Sequence, residues 1–295
     1  MRNKDTFSSY NPIINFFFFA CAIGLGMFFM HPIYLVCSLV LAVVYYLTIE
    51  GAKGLKFLVL MIPLMVLLTI INPLFNSAGE HVLFNYFGRA YTMEGLMYGA
   101  AIAFMFVSVL SWFASYNAVM TSDKFVYIFG RFLPSISLVL TMILRLVPNF
   151  QKKASQIATA RMCVGKAGDN TDKKEKIGNA MTVLSGLTTW ALEGGIVTAD
   201  SMRSRGYGSG KRTNFAIYRF DSRDVILLIV MIGLVGGICV CGLMGGAAVI
   251  YTPALEITFN IYTIIGSLMY FCLLAIPSFI NIMEEIIWHI LRSRI

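Results

Sequence analysis

The chain has 295 residues, of which 58% are hydrophobic and only 13% charged, with a mean hydropathy of +0.76 and a formal net charge of +8. A soluble domain cannot hide that much apolar surface, so composition excludes a water-soluble globular protein and places the chain in a bilayer. The six cysteines (Cys21, Cys37, Cys163, Cys239, Cys241 and Cys272) are scattered, with no CxxC pair and no Cys/His cluster at metal-ligand spacing, and read as small packing residues.

In chain order, a basic N-terminus with Arg2 and Lys4 leads into an apolar run that lacks a small-residue cleavage site and is followed at once by another. The first segment is therefore expected to stay in the mature protein. Stretches long and apolar enough to cross ~30 Å of hydrocarbon fall near 13–30, 32–49, 55–75 and 93–115, and again at 224–244 and 257–280. Between the two groups, 117–223 is still apolar but is interrupted by charges and offers no clean span. With the N-terminus in the cytoplasm, Arg89 is the one basic side chain among the 23 Lys and Arg that falls in an outside loop, which satisfies the positive-inside rule. A seventh span at 133–147 would export Lys152, Lys153, Arg161 and Lys166, so it is rejected. Both termini and 117–223 are placed inside, and 281–295 reads as an amphipathic tail with a basic end. The expected organisation is four membrane helices in 1–116, a cytoplasmic region at 117–223, two membrane helices in 224–280 and the tail.

The middle region is patterned for helices. Ser122 or Asp123 can cap a helix to about Arg131, with Pro134 as punctuation. From 135 to about 162, Ser137, Thr141, Arg145, Asn149, Lys152, Gln156 and Thr159 recur at steps of three or four and form one polar stripe on an apolar cylinder. Across a charged connector at 165–176, a second long helix is predicted to about 205, with Ala180, Val183, Leu184, Leu187 and Ala191 on one face. Each long helix would extend roughly 40 Å. Both are expected to close alike, on Ala160-Arg161-Met162 and on Ser204-Arg205-Gly206. A small residue beside an Arg at a helix end lets a guanidinium fork meet a carboxylate or backbone carbonyls, although Arg at a membrane edge also commonly just snorkels.

Ser201-Met202-Arg203-Ser204-Arg205-Gly206-Tyr207, followed by Gly208-Ser209-Gly210-Lys211-Arg212-Thr213, resembles the second signature of the transmembrane T component of energy-coupling-factor (ECF) transporters, the CbiQ/EcfT cobalt transport type. Arg145-Leu146-Val147-Pro148 is similar to that family's Arg-Phe-Ile-Pro, and Ala158 to Arg161 to its first Ala-Arg-Gly motif. Asn72-Pro73-Leu74 and Glu94-Gly95-Leu96 also fall where it has similar words. The resemblance implies an all-α, polytopic, non-enzymatic scaffold of about six membrane helices, with two long crossed cytoplasmic helices and a shorter one. It implies that Arg161 and Arg205 dock two ATP-binding-cassette ATPases, flanked by Ala160, Met162, Ser204 and Gly206. Arg145, Pro148, Met202, Tyr207 and Arg212 would support the coupling helices. The implied partners are the two ATPases, a membrane-embedded substrate-binding S component and the lipid of a prokaryotic plasma membrane, with no nucleic acid. ATP and Mg would sit on the ATPases, with no cofactor on this chain. Met162 stands where the first motif has Gly, and Ser204 replaces the usual Ala.

Other classes fit the residues less well. Gly206 to Lys211 imitates a phosphate loop but has Arg205 where the first Gly belongs and Arg212 in place of Ser/Thr. An enzyme acting on lipid phosphates could use Arg203, Arg205, Lys211 and Arg212 as an anion site, yet the nearby acids offer only Glu193 and Asp200 at i, i+7. A standalone secondary transporter would place ionisable groups at mid-membrane. Here Glu50, Glu94, Glu256, Glu284 and Glu285 lie near segment ends and are expected to be solvated. His31, His81 and His289 read as interfacial hydrogen-bonding groups, and Pro63 and Pro148 as helix kinks.

Overall fold

The computed structural model describes residues 5–76, 79, 81–86, 89–165, 173–209, 218, 220–251 and 256–292. The chain divides into two compact units, Met1–Thr121 with Tyr218–Ile295, and Ser122–Ile217.

Unit 1 is built from α1 (Pro12–Phe28), α2 (Pro32–Glu50), α3 (Ala52–Phe75), α4 (Met93–Val119), α8 (Ser222–Cys241) and α9 (Ile261–Arg292). Local chemistry sets the starts. Asn11 and His31 cap α1 and α2 ahead of Pro12 and Pro32, Thr92 Oγ1 accepts from the Gly95 N–H at α4, and Asp221 and Asp224 form a reciprocal capping box at α8. Five of these helices are long and apolar enough to cross a membrane, and α1, with 17 residues, is a shorter apolar helix. The protein is thus an α-helical multi-pass membrane protein. Pro63, Pro73 and Pro277 lie inside α3 and α9 without ending them. The residues expected as a separate tail continue α9 unbroken to Arg292.

Two short hairpins that the sequence reading did not anticipate decorate the connections. β1 (Val82–Tyr86) pairs antiparallel with β2 (Arg89–Thr92) between α3 and α4, and β3 (Val249–Ile250) pairs with β4 (Glu256–Ile257) beyond a π-helical turn at Gly242–Gly246.

The core of unit 1 is aromatic, with Phe7, Phe18, Phe19, Tyr34, Tyr45, Trp112 and Tyr270 almost fully buried. Close helix approach comes from small residues. Along α4, Gly95, Gly99, Ala103, Val107, Ser111 and Ser115 recur every four positions and are buried. At Gly99 a β-carbon would stand 2.8 Å from Asn72 Cβ and from the Thr69 carbonyl oxygen of α3. A β-carbon on Gly95 would stand 3.4 Å from Pro73 Cβ, so two of the sequence words, Asn72-Pro73-Leu74 and Glu94-Gly95-Leu96, meet across the α3–α4 seam. Trp112 Nε1 donates to Ser38 Oγ at 3.1 Å, and Ser38 and Ser108 hydroxyls lie 2.6 Å apart.

One end of unit 1 is closed by its N-terminal segment. Asn281 Nδ2 donates to Asp5 at 2.6 Å and its Oδ1 accepts the Thr6 and Phe7 N–H groups, while the Tyr45 hydroxyl donates to the other Asp5 oxygen at 3.0 Å. The chain leaves unit 1 after Thr121, two residues beyond Val119, which shares a core cluster with Phe7. It returns at Tyr218, shortly before Arg223 and Asp224, whose charges act on Tyr10. The opposite end gathers the loops, where the Tyr251 hydroxyl donates to the Met30 carbonyl at 2.6 Å and His31 packs edge-on against Phe259. At that end Glu94 corrects an expectation. It is 6% exposed and its carboxylate accepts from the His81 backbone N–H and pairs with His81 Nδ1 at 2.8 Å, so it is sequestered rather than solvated.

Candidate functional site

Unit 2 carries the basic helices. α5 (Ser122–Phe132) is strongly amphipathic and crosses close to α6 (Pro134–Cys163), where a β-carbon on Gly130 would meet Ser137 Oγ at 2.7 Å. Pro148 lies inside α6. α7 (Lys173–Ser204) packs antiparallel to α6. Phe150 meets Trp190 edge-on at 5.6 Å between ring centroids, Lys153 Nζ lies 5.8 Å from the same indole, and Ile157 Cδ1 would touch a β-carbon on Gly186 at 3.8 Å. The series ends at Arg161, whose Nη2 donates to Asn179 Oδ1 at 2.7 Å. Between the helices runs a groove of about 520 Å³, with apolar walls that include Ala158, Ala180, Val183 and Leu187 and with Arg161 and Asn179 among its polar groups.

The two arginine motifs do not close alike. α7 ends in a Schellman motif, with the Tyr207 N–H donating to the Met202 carbonyl, the Gly206 N–H to the Arg203 carbonyl, and Gly206 at φ +71°. That geometry makes Arg205 the C-cap residue, exposed and just outside the helix, with the exposed Ser204 hydroxyl turned back onto the Asp200 carbonyl. In α6 the left-handed glycine is Gly165, at φ +74°, three residues later relative to its Arg. Met162 is a good helix former, so the helix runs through it to Cys163 and leaves Arg161 inside the last turn. Arg161 is half-buried, whereas Ala160 and Met162 are exposed.

The remaining predicted residues are spread along these helices. Arg145 and Pro148 are exposed on α6, roughly four turns before Arg161, and Met202 and Tyr207 take part in the α7 cap. Arg212 lies outside the described residues. Because Arg161 is tied to Asn179 near the start of α7 and Arg205 follows its end, the two guanidinium groups are about 40 Å apart at ~1.5 Å per residue. A single partner site cannot hold both. Asn179, which places Arg161, was not among the residues the sequence singled out, and only its position nearly two turns into a basic helix could have suggested it. Glu193 and Asp200 are exposed on α7. Among the described residues no three His, Cys, Asp or Glu side chains come together as a metal cage, and the six cysteines are free thiols.

A unit of apolar helices long enough to cross a membrane, in one chain with a unit of basic helices, defines a multi-pass helical membrane protein. The family comparison agrees with that class: the chain belongs to the cobalt transport protein family, CbiQ, whose family model matches residues 8–215. The match takes in α1 to α4 and both arginine segments. Compared with curated proteins individually, the chain matches none.

Proposed function

We propose that this transport component is the transmembrane coupling subunit of an ECF-type importer, docking one ATP-binding-cassette ATPase through Arg161 and a second through Arg205. The observation that carries the reading is the separation of the two arginines by about the length of α7, which suits two partner surfaces. The membrane unit would hold a substrate-binding S component, and movement of the ATPases would be passed through α6 and α7 to it. ATP and Mg belong to the ATPases, and the cargo, cobalt or a vitamin, would be read by the S component. The charge asymmetry supports a cytoplasmic position for both termini and unit 2 in a prokaryotic plasma membrane, since the connections at the opposite end of unit 1 hold Arg89 as their one Lys or Arg.

Co-purification of the tagged chain with its genomic neighbours tests this. Wild type should retain two cassette ATPases and a small membrane partner. Arg161→Glu and Arg205→Glu should each lose retention, because breaking a desolvated Arg–carboxylate pair costs ~2–5 kcal/mol. Arg→Lys should weaken binding less, through loss of the bidentate fork. Normal ATPase binding by both Glu variants would refute the docking role.

A further inference from the structure

We propose that the β1–β2 hairpin is an interfacial anchor whose exposed apolar run, with Leu83 and Phe84 foremost, lies against phospholipid in the headgroup layer at the loop end of unit 1. Val82, Leu83 and Phe84 are three consecutive apolar residues, all more than half exposed. Alternation along a strand would turn the middle one inward. It does not, because the pairing slips between Val82 and Phe84, Val82 facing Thr92 and Phe84 facing Tyr91, so Leu83 is the extra residue of a bulge. Three adjacent apolar side chains presented to water would be a liability, and presented to lipid they are a footing.

The hairpin does not project away from the bilayer. Tyr91 is 8% exposed, its hydroxyl reaches the Ile70 carbonyl of α3 at 3.4 Å, and Ile70 lies five residues inside the helix end. Phe84 stacks on that same ring, 4.6 Å between centroids and 13° from parallel. The Phe84 ring is thereby held level with the last turns of a helix whose own surface is lipid-facing, with Val66, Leu67, Ile70 and Phe75 exposed. The Met93 N–H to His81 carbonyl bond and the Glu94–His81 pair fix the base of the hairpin to α4. A two-stranded ribbon has open edges whose N–H and C=O groups need water, so the hydrocarbon interior is closed to it. The boundary layer, where aromatic rings concentrate, satisfies both demands.

The test uses the full chain alone in phospholipid nanodiscs, with a benzophenone amino acid at position 83 or 84 and, as a reference, at the exposed Val59, seven residues into α3. Illumination should add the mass of one phospholipid at all three positions. An adduct at Val59 with none at 83 and 84 would mean that the hairpin stands in water, and would overturn the proposal. In native membranes, a protein adduct at 84 in place of lipid would overturn it in favour of a membrane partner. Depth is read from Phe84→Trp, corrected for Trp112, Trp190 and Trp288 with the wild type. Lipids brominated near the headgroup should quench the new tryptophan more than lipids brominated at the chain ends, and the reverse order would refute an interfacial position.

Discussion

At the residue scale, the chemistry of helix ends carries most of the testable consequences. Gly206 holds φ +71°, a conformation that costs an L-residue ~1 kcal/mol or more. Gly206→Ala should fray the end of α7, scatter the Arg205 guanidinium and weaken ATPase retention severalfold, while a Gly178→Ala control elsewhere on α7, where a β-carbon meets nothing within 4 Å, leaves retention unchanged. His31 gives a pH dependence. It is fully buried at the N-cap of α2, where Nδ1 accepts the Ile33 N–H at 3.4 Å. Burial pushes its pKa below the usual 6.5, against a smaller upward pull from the Thr258 backbone. A base with a depressed folded pKa is stabilising while neutral, so its contribution is complete above pH 6.5 and is lost as the pH falls below that value. Protonation would also turn the capping acceptor into a donor and set a positive charge at a helix N-terminus. The melting temperature in detergent should therefore fall below about pH 6.5, and His31→Asn, which keeps a capping acceptor without titrating, should flatten that slope.

Between elements, the α3–α4 seam depends on the missing side chain at Gly99. Gly99→Leu would drive a branched side chain into Asn72 and the Thr69 carbonyl and should cost about 1–3 kcal/mol, seen as a lower unfolding midpoint. Gly24→Leu on α1, where a β-carbon meets nothing within 4 Å, should be nearly neutral. The long helices were readable in the sequence because periodicity and span length are local. Ser122–Phe132, Pro134–Cys163 and Lys173–Ser204 fall within a few residues of the expected ranges. The hairpins were not readable, since β1 is five residues long with three apolar side chains in a row beside a membrane helix, and its pairing partner declares itself only in space. The Gly/Ala/Ser recurrence on α4 was legible but unused. The different endings of α6 and α7 were half legible: Met162 in place of Gly was visible, but that the stop would move to Gly165 follows from how a helix former propagates a turn that glycine would have ended.

For the whole molecule, the longest-range tie is the N-terminal closure, in which Asn281 makes three hydrogen bonds to residues some 275 positions away. Asn281→Ala should leave the Asp5 carboxylate and two backbone N–H groups short of partners, cost roughly 2 kcal/mol, and make the N-terminal segment more sensitive to protease while the helix content is unchanged. The sequence by itself determined the membrane class, the order and approximate length of the helices, and the separation of basic from neutral connections. These are sums over residues or over a local period, so no packing needs to be known. Only the tertiary structure decided that Asn72 meets Gly99, that His81 takes Glu94 out of water, that Asn179 holds Arg161, and that the two arginines stand at opposite ends of α7. Each is a pairing between side chains distant in the chain, and pairings are set by which helix faces can approach closely, a property that no single segment contains.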